Sequence, residues 1–168
     1  MSGDTLLLAL GNPLRGDDGL GAAALDALAA EAWPAGVDLL EGGTPGFETI
    51  LLMQGYARVV IIDAAEMDAA PGDWRRFTPA EVKLGSRDLY LRGTLHYAGL
   101  AEALTLAEAL GVLPPEIIIY GMQPEHIGWE PGLSGAVQAA LPGLCAALLD
   151  ELTLAGIPAE ARSASPIV

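Results

Sequence analysis

A chain of 168 residues, 52% of them hydrophobic, carries enough apolar material for one domain over 1–156 with a core of its own. Eight Lys and Arg against 22 Asp and Glu give a formal charge of -14, which repels nucleic acid and anionic membrane surfaces and excludes both as partners. The single cysteine, Cys145, rules out an internal disulfide, and no paired Cys/His spacing suits structural zinc; the start MSGDTLLLALG lacks the basic flank of a signal peptide and the length of a membrane span, so a cytoplasmic protein without membrane insertion is expected.

The segment TLLLALG over 5–11 is a short apolar run closed by glycine, the pattern of a strand buried on both faces. GNPLRGDDGLG follows, with Asn12, Asp17 and Asp18 set among glycines and a proline, and then an alanine-rich stretch that predicts a helix from Gly21. VDLLEGG from Val37 predicts a second strand, GFETILLMQGY from Gly46 a second helix, and RVVIIDAA over 58–65 a third strand that reaches Asp63. Residues 71–94 are polar and irregular and hold most of the basic residues, which predicts an excursion over the sheet edge. A helix from Tyr97 to Gly111, a strand EIIIYGM over 116–122 and a long apolar helix over 135–156, kinked or restarted at Pro142, complete the pattern. Strands alternating with helices at this spacing define an α/β fold: a single-domain doubly wound, mostly parallel sheet with helices on both faces. Residues 157–168 lack periodicity and are expected to form a flexible tail.

In an open α/β sheet ligands bind beyond the carboxyl ends of the strands, which singles out Asp17 and Asp18 after the first strand, Asp63 at the end of the third, and His96 where a helix begins. A carboxylate ending an otherwise apolar strand is costly to desolvate unless helix N–H groups, Arg15 or a metal ion compensates it. Two carboxylates and an imidazole at the ends of neighbouring strands make a mixed N/O site suited to a divalent ion such as nickel or zinc, with ligand atoms on the order of 4 to 6 Å apart. Taken singly, each residue has a plainer role: Asp17 or Asp18 as the N-cap of the following helix, Asp63 as a turn former, His96 as an ordinary surface or core histidine. GLGAAA over 19–24 with Glu41 matches a dinucleotide-binding fingerprint, but a loop of roughly eight residues separates the strand from Gly19, and a pyrophosphate there would meet Asp17 and Asp18. Cys145 lies in an apolar helical pattern with no histidine nearby, a core position; His126 is either a substrate contact or ordinary loop chemistry.

The stretches LALGNPLRGDDGLG, LLEGGTPG, VVIIDAAE, LHYAGLAEAL and YGMQPEHIGWEPGLS, in this order, resemble the maturation endopeptidases of nickel-iron hydrogenases over nearly the whole chain. The resemblance puts the family's metal-contacting carboxylates on Asp18 and Asp63 and its histidine on His96, the residues singled out above. Catalytic roles for the three beyond metal contact stay open, and Asp17 stands in reserve as a cap or a loop-holding residue. It implies a peptidase that cuts near the C-terminus of a hydrogenase large-subunit precursor once nickel has been inserted, so that nickel comes with the substrate and no organic cofactor is needed. It also assigns Glu41, Gly42, Gly43 and Thr44 to a substrate-recognition loop, with Glu41 where the family often has Asp. Two rival readings keep the same residues in play: a non-catalytic nickel-binding maturation chaperone using Asp18, Asp63 and His96, and an NAD-dependent oxidoreductase using GLGAAA and Glu41.

Overall fold

The first strand, β1 (Thr5–Leu10), is buried along its whole length, as an unbroken apolar run requires, because it has a parallel strand on each side and helices on both faces. The computed structural model describes residues 4–83 and 96–154. Within them β1 lies between β2 (Val37–Gly43) and β3 (Arg58–Ala64). Beyond β3 come β5 (Glu116–Met122) and, at the edge, the short β4 (Trp74–Phe77). The order β2-β1-β3-β5-β4 has β4 antiparallel to β5 and every other pairing parallel, the mostly parallel α/β sheet expected from the sequence. From β1 the chain moves one way to β2 and then returns past β1 to β3, so the β1/β3 boundary is the switch point where such sheets open a crevice.

Alternation along the strands divides the core. Leu7, Ala9, Val60, Ile62, Ile118 and Tyr120 face α1 (Leu20–Ala29) and the last helix, α4 (Gly135–Leu154). Leu6, Leu8, Val59, Ile61, Ile117 and Ile119 face the side covered by α2 (Phe47–Met53) and α3 (His96–Ala109), which contribute Met53, Leu100 and Leu104.

Two expectations are corrected here. The polar stretch 71–94 is not wholly irregular: its WRRF segment is β4, which pairs Trp74 with Met122 and Phe77 with Ile119. Nor does α4 restart at Pro142; it runs unbroken from Gly135 to Leu154. Pro142 is exposed, and so is Gln138, whose carbonyl would have received the missing N–H, so the lost bond falls on the solvent side of the helix. By length and composition α4 could cross a membrane, yet Val137, Leu141, Leu144, Leu148 and Leu152 are buried in the core. The rest of the excursion, residues 84–95, and the tail expected over 157–168 lie outside the described residues.

At the end of the sheet where β3 and β5 begin, α4 is tied down by charge. The buried Arg58 guanidinium pairs with Glu151 and donates to its carbonyl at 2.8 Å, while its Nε lies 3.0 Å from Glu116. Glu151 also accepts from Arg76 of β4 at 2.8 Å and from the Tyr120 hydroxyl at 2.7 Å. One carboxylate thus joins the final helix to three strands.

Candidate functional site

The site is built from the chain leaving β1. Gly11 has φ +111, a conformation that favours glycine, and a Cβ there would overlap the Asp18 carbonyl oxygen; the missing side chain lets the loop fold back over the strand end. Asn12 starts the turn, its side-chain oxygen accepting the Leu14 N–H at 2.9 Å while its own N–H donates to Asp18 Oδ2 at 3.0 Å. A 3-10 turn over Gly16–Gly19 then brings Asp17 and Asp18 inside, at 1% and 3% exposure. Neither caps α1, as single-residue reasoning allowed: the N-cap is Gly19 and no side chain bonds there.

Asp63 closes β3 opposite this turn, 8% exposed, and alternation from Val59 and Ile61 puts it on the face of α2 and α3. Burial pushes its carboxyl well above the usual carboxylate range, the Asp18 charge pushes it further, and the Ala64 N–H only partly offsets both. No Lys or Arg among the described residues forms an ion pair with Asp63. The structure therefore brings Asp18 and Asp63 into electrostatic contact at the switch point. Their arrangement suits a bound cation, which would relieve the repulsion.

Asp17 does different work, and its partners were not legible in the sequence. Its carboxylate accepts from the backbone N–H groups of Glu125 (2.8 Å), His126 (3.1 Å) and Ser134 (2.7 Å) and from the Ser134 hydroxyl (2.8 Å). Burial alone would raise its pKa; these donors outweigh burial and lower it. Backbone bonds reinforce the tie, Gly16 N–H to the Glu130 carbonyl at 2.7 Å and Asp17 N–H to the His126 carbonyl at 3.0 Å. Of the two roles held open for it, Asp17 has the loop-holding one, joining the loop after β1 to the loop after β5. His126 takes part through its backbone. Gln123, buried at the end of β5, was also missed: its Oε1 accepts from Met67 and Ala69, fixing the segment just beyond Asp63.

His96 is the first residue of α3, but its side chain lies outside the described residues. One turn on, a Cβ on Gly99 would come within 2.7 Å of the Pro45 carbonyl oxygen, so the start of α3 packs on the loop after β2. That is the face and the sheet end of Asp63. Among the described residues no three His, Cys, Asp or Glu form a metal-holding group. Glu41 is exposed on β2, and a bulge after it leaves Gly42 between the pairings Ala9–Glu41 and Leu10–Gly43. Gly42 leaves room for Leu8 and Leu10; Gly43, at φ +63, turns its carbonyl to the Gly11 N–H at 2.9 Å. Thr44 follows, exposed. Cys145 is a buried residue of α4 whose thiol burial pushes up, so it is no nucleophile.

These features define a class: a doubly wound α/β protein with a buried acidic centre at the carboxyl edge of its sheet, where the first α/β loop supplies one carboxylate and β3 the other. A family model described as hydrogenase maturation protease matches residues 24–151, and the chain belongs to that family, whose members are peptidases. It is 31% identical to the hydrogenase 2 maturation protease of Escherichia coli K12, covering 93% of this chain and 96% of that protein. It is also 31% identical to the hydrogenase expression/formation protein HoxM of Azotobacter vinelandii, over 94% of this chain and 76% of the relative. Among solved structures, the hydrogenase maturating endopeptidase HybD from E. coli superimposes with a TM-score of 0.80 at 28% identity, covering 93% of this chain and 94% of that one. The [NiFe] hydrogenase maturation protease HybD from Thermococcus kodakarensis gives 0.68 at 30% identity, over 90% and 99%. Membership of a peptidase family removes the oxidoreductase and chaperone readings. The geometry agrees on the first: buried carboxylates occupy the turn where a dinucleotide's phosphates would sit.

Proposed function

We propose that this peptidase removes the C-terminal peptide of a nickel-iron hydrogenase large-subunit precursor after nickel has been inserted, and that Asp18, Asp63 and His96 recognise the nickel carried by the substrate. The observation that carries the reading is Asp63, buried at the sheet end, raised in pKa by burial and by the Asp18 charge, and in no ion pair with a Lys or Arg among the described residues. Folding alone gains nothing from that arrangement, whereas a divalent ion delivered with the substrate would hold both carboxylates ionised. Two carboxylates and an imidazole, without thiolates, make a weaker nickel site than cysteines on the precursor would, so the metal stays with the substrate and anchors it. Anchoring at the metal lays the neighbouring peptide bond over the cleft, and the gain is one of proximity. Glu41, Gly42 and Gly43 at the end of β2, with Thr44 just beyond it, contact the chain of the precursor. Hydrolysis adds one water across the scissile amide, giving a new carboxylate on the large subunit and a free amine on the released peptide.

The test is incubation of chelator-stripped protein with the same precursor in nickel-loaded and nickel-free form, reading loss of the C-terminal peptide by mass spectrometry. The loaded form alone should be cut, and Asp18→Ala, Asp63→Ala and His96→Ala should each leave it whole. Equal cleavage of both forms would sink nickel recognition as the gate; binding without cleavage by the wild type would sink the proteolytic role.

A further inference from the structure

Exposed large apolar side chains are sparse on the described surface, and three of them lie past the carboxyl ends of strands: Leu14 and Trp129 on the loops that follow β1 and β5, and Phe47 as the first residue of α2, after the loop that follows β2. Phe47 is 61% exposed and Trp129 78%, and together with Leu14 they ring the end of the sheet that holds Asp18 and Asp63. Arg15 accompanies them. Arg58, Arg76 and Lys83 each pair with a carboxylate, but the Arg15 guanidinium instead lies 4.8 Å over the Trp129 ring, and its buried Nε has no hydrogen-bond acceptor. Among the described residues Arg15, like the exposed Arg75 of β4, forms no ion pair with a carboxylate, and Arg15 is the one that stands in the loop carrying Asp17 and Asp18.

The platform is also stiff. Arg15 directly precedes Gly16 and Asp17, and Trp129 lies inside the loop that those two residues hold through the Glu130 carbonyl and the Asp17 carboxylate. Behind it a cleft of about 200 Å³ opens between Gly16, His126, Glu130, Leu133 and Ser134. That is below the range of small-molecule sites, roughly 300–1,000 Å³, and fits a single side chain of a larger partner. An exposed Trp129 with a half-buried Arg15 against its ring presents, on a preorganised surface, the residue types on which binding energy concentrates at protein interfaces.

We infer that Arg15 and Trp129, with Leu14 and the cleft behind them, form the docking platform for the polypeptide substrate, holding a segment of the precursor that offers an apolar side chain to Trp129 and a hydrogen-bond acceptor to Arg15. This rests on the proposed processing reaction and deepens it: the metal fixes one point of the precursor, and the platform fixes a second. A substrate held at two points has its scissile bond oriented as well as localised.

The experiment is steady-state processing of nickel-loaded precursor by the full chain and its variants, with precursor binding followed by acrylamide quenching of tryptophan fluorescence. Trp129→Ala and Arg15→Gln should each raise KM about tenfold or more with kcat nearly unchanged, as loss of uniform binding requires. Leu110→Ala, an equally exposed leucine beyond the end of α3, should change neither. Precursor should protect wild-type fluorescence from quenching, and that protection should vanish in Trp129→Phe. Wild-type KM in both platform variants, a fall in kcat alone, or quenching indifferent to precursor would overturn the platform while cleavage by the wild type kept the proteolytic reading. A wild type that neither binds nor cuts the precursor overturns both. Should Trp129→Ala fail to fold, the quenching of the wild type against Trp129→Phe decides.

Discussion

Asp63 sets stability against function at a single carboxyl group. Its pKa is raised in the folded chain by burial and by Asp18, so between the ordinary carboxylate range and the raised value the folded state binds more protons than the unfolded one. Unfolding free energy therefore falls as pH rises through that window. Asp63→Asn should raise Tm at pH 7, lose that advantage near pH 3 and abolish processing; a lower Tm at pH 7 would mean that the carboxylate is stabilised by its surroundings. The neighbouring Asp17 has the opposite sign. Four donors converge on it and lower its pKa, so its contribution is present above the ordinary carboxylate range and fades as pH falls through the folded value. Asp17→Ala should cost about 2–4 kcal/mol, because buried donors lose a charged acceptor. The loss should appear in hydrogen exchange as faster exchange at Glu125, His126 and Ser134. Two adjacent aspartates thus have different tasks, and the motif that holds them does not say which is which: the donors to Asp17 lie 108 or more residues away, and three of the four are backbone N–H groups, the fourth the Ser134 hydroxyl, on a loop with no pattern of its own.

At the scale of elements, runs of one character were legible and compromises were not. β1, β3 and β5 read directly from the sequence because strands buried on both faces must be continuously apolar, and Asp63 stood out because a charge ends such a run. β4 was hidden because an edge strand needs only partial burial. Trp74 and Phe77 are half-buried and Arg75 is exposed, while Arg76 answers to Glu151, 75 residues later. Pro142 misled for a related reason: propensity reports the isolated helix, whereas packing of Leu141, Leu144, Cys145 and Leu148 holds α4 together across the proline. Because Pro142 is exposed and contributes no N–H, Pro142→Ala should stabilise the protein by about 1–3 kcal/mol, measured by urea denaturation. A loss of stability would show that the ring fills the groove between α1 and α4, which Pro142 and Leu141 line with Ala27.

For the molecule as a whole, the two ends of the sheet hold charge in contrasting ways. At the carboxyl end the carboxylates repel; at the amino end Glu151 is surrounded by Arg58, Arg76 and Tyr120. Burial would raise the Glu151 pKa, but the donors outweigh it and lower it, and burial together with the Glu151 carboxylate pushes the Tyr120 hydroxyl up to about 12. Glu151→Ala would leave Arg58 buried with one carboxylate fewer, and should destabilise by about 3–5 kcal/mol at neutral pH, an effect that shrinks as pH falls through the folded Glu151 value. Melting curves of the variant and the wild type from pH 3 to pH 8 check both parts. The sheet order carries one more consequence, for the timing of synthesis. β5 lies between β3 and β4 although it is made after both, and every donor to Asp17 comes later still. A ribosome-bound chain ending near residue 115 already contains both aspartates of the first loop and Asp63, yet has no β5 beside Asp63 and nothing to anchor Asp17. The Asp17 tie and the β5 side of the Asp63 crevice therefore form only after residues 116–134 have left the exit tunnel.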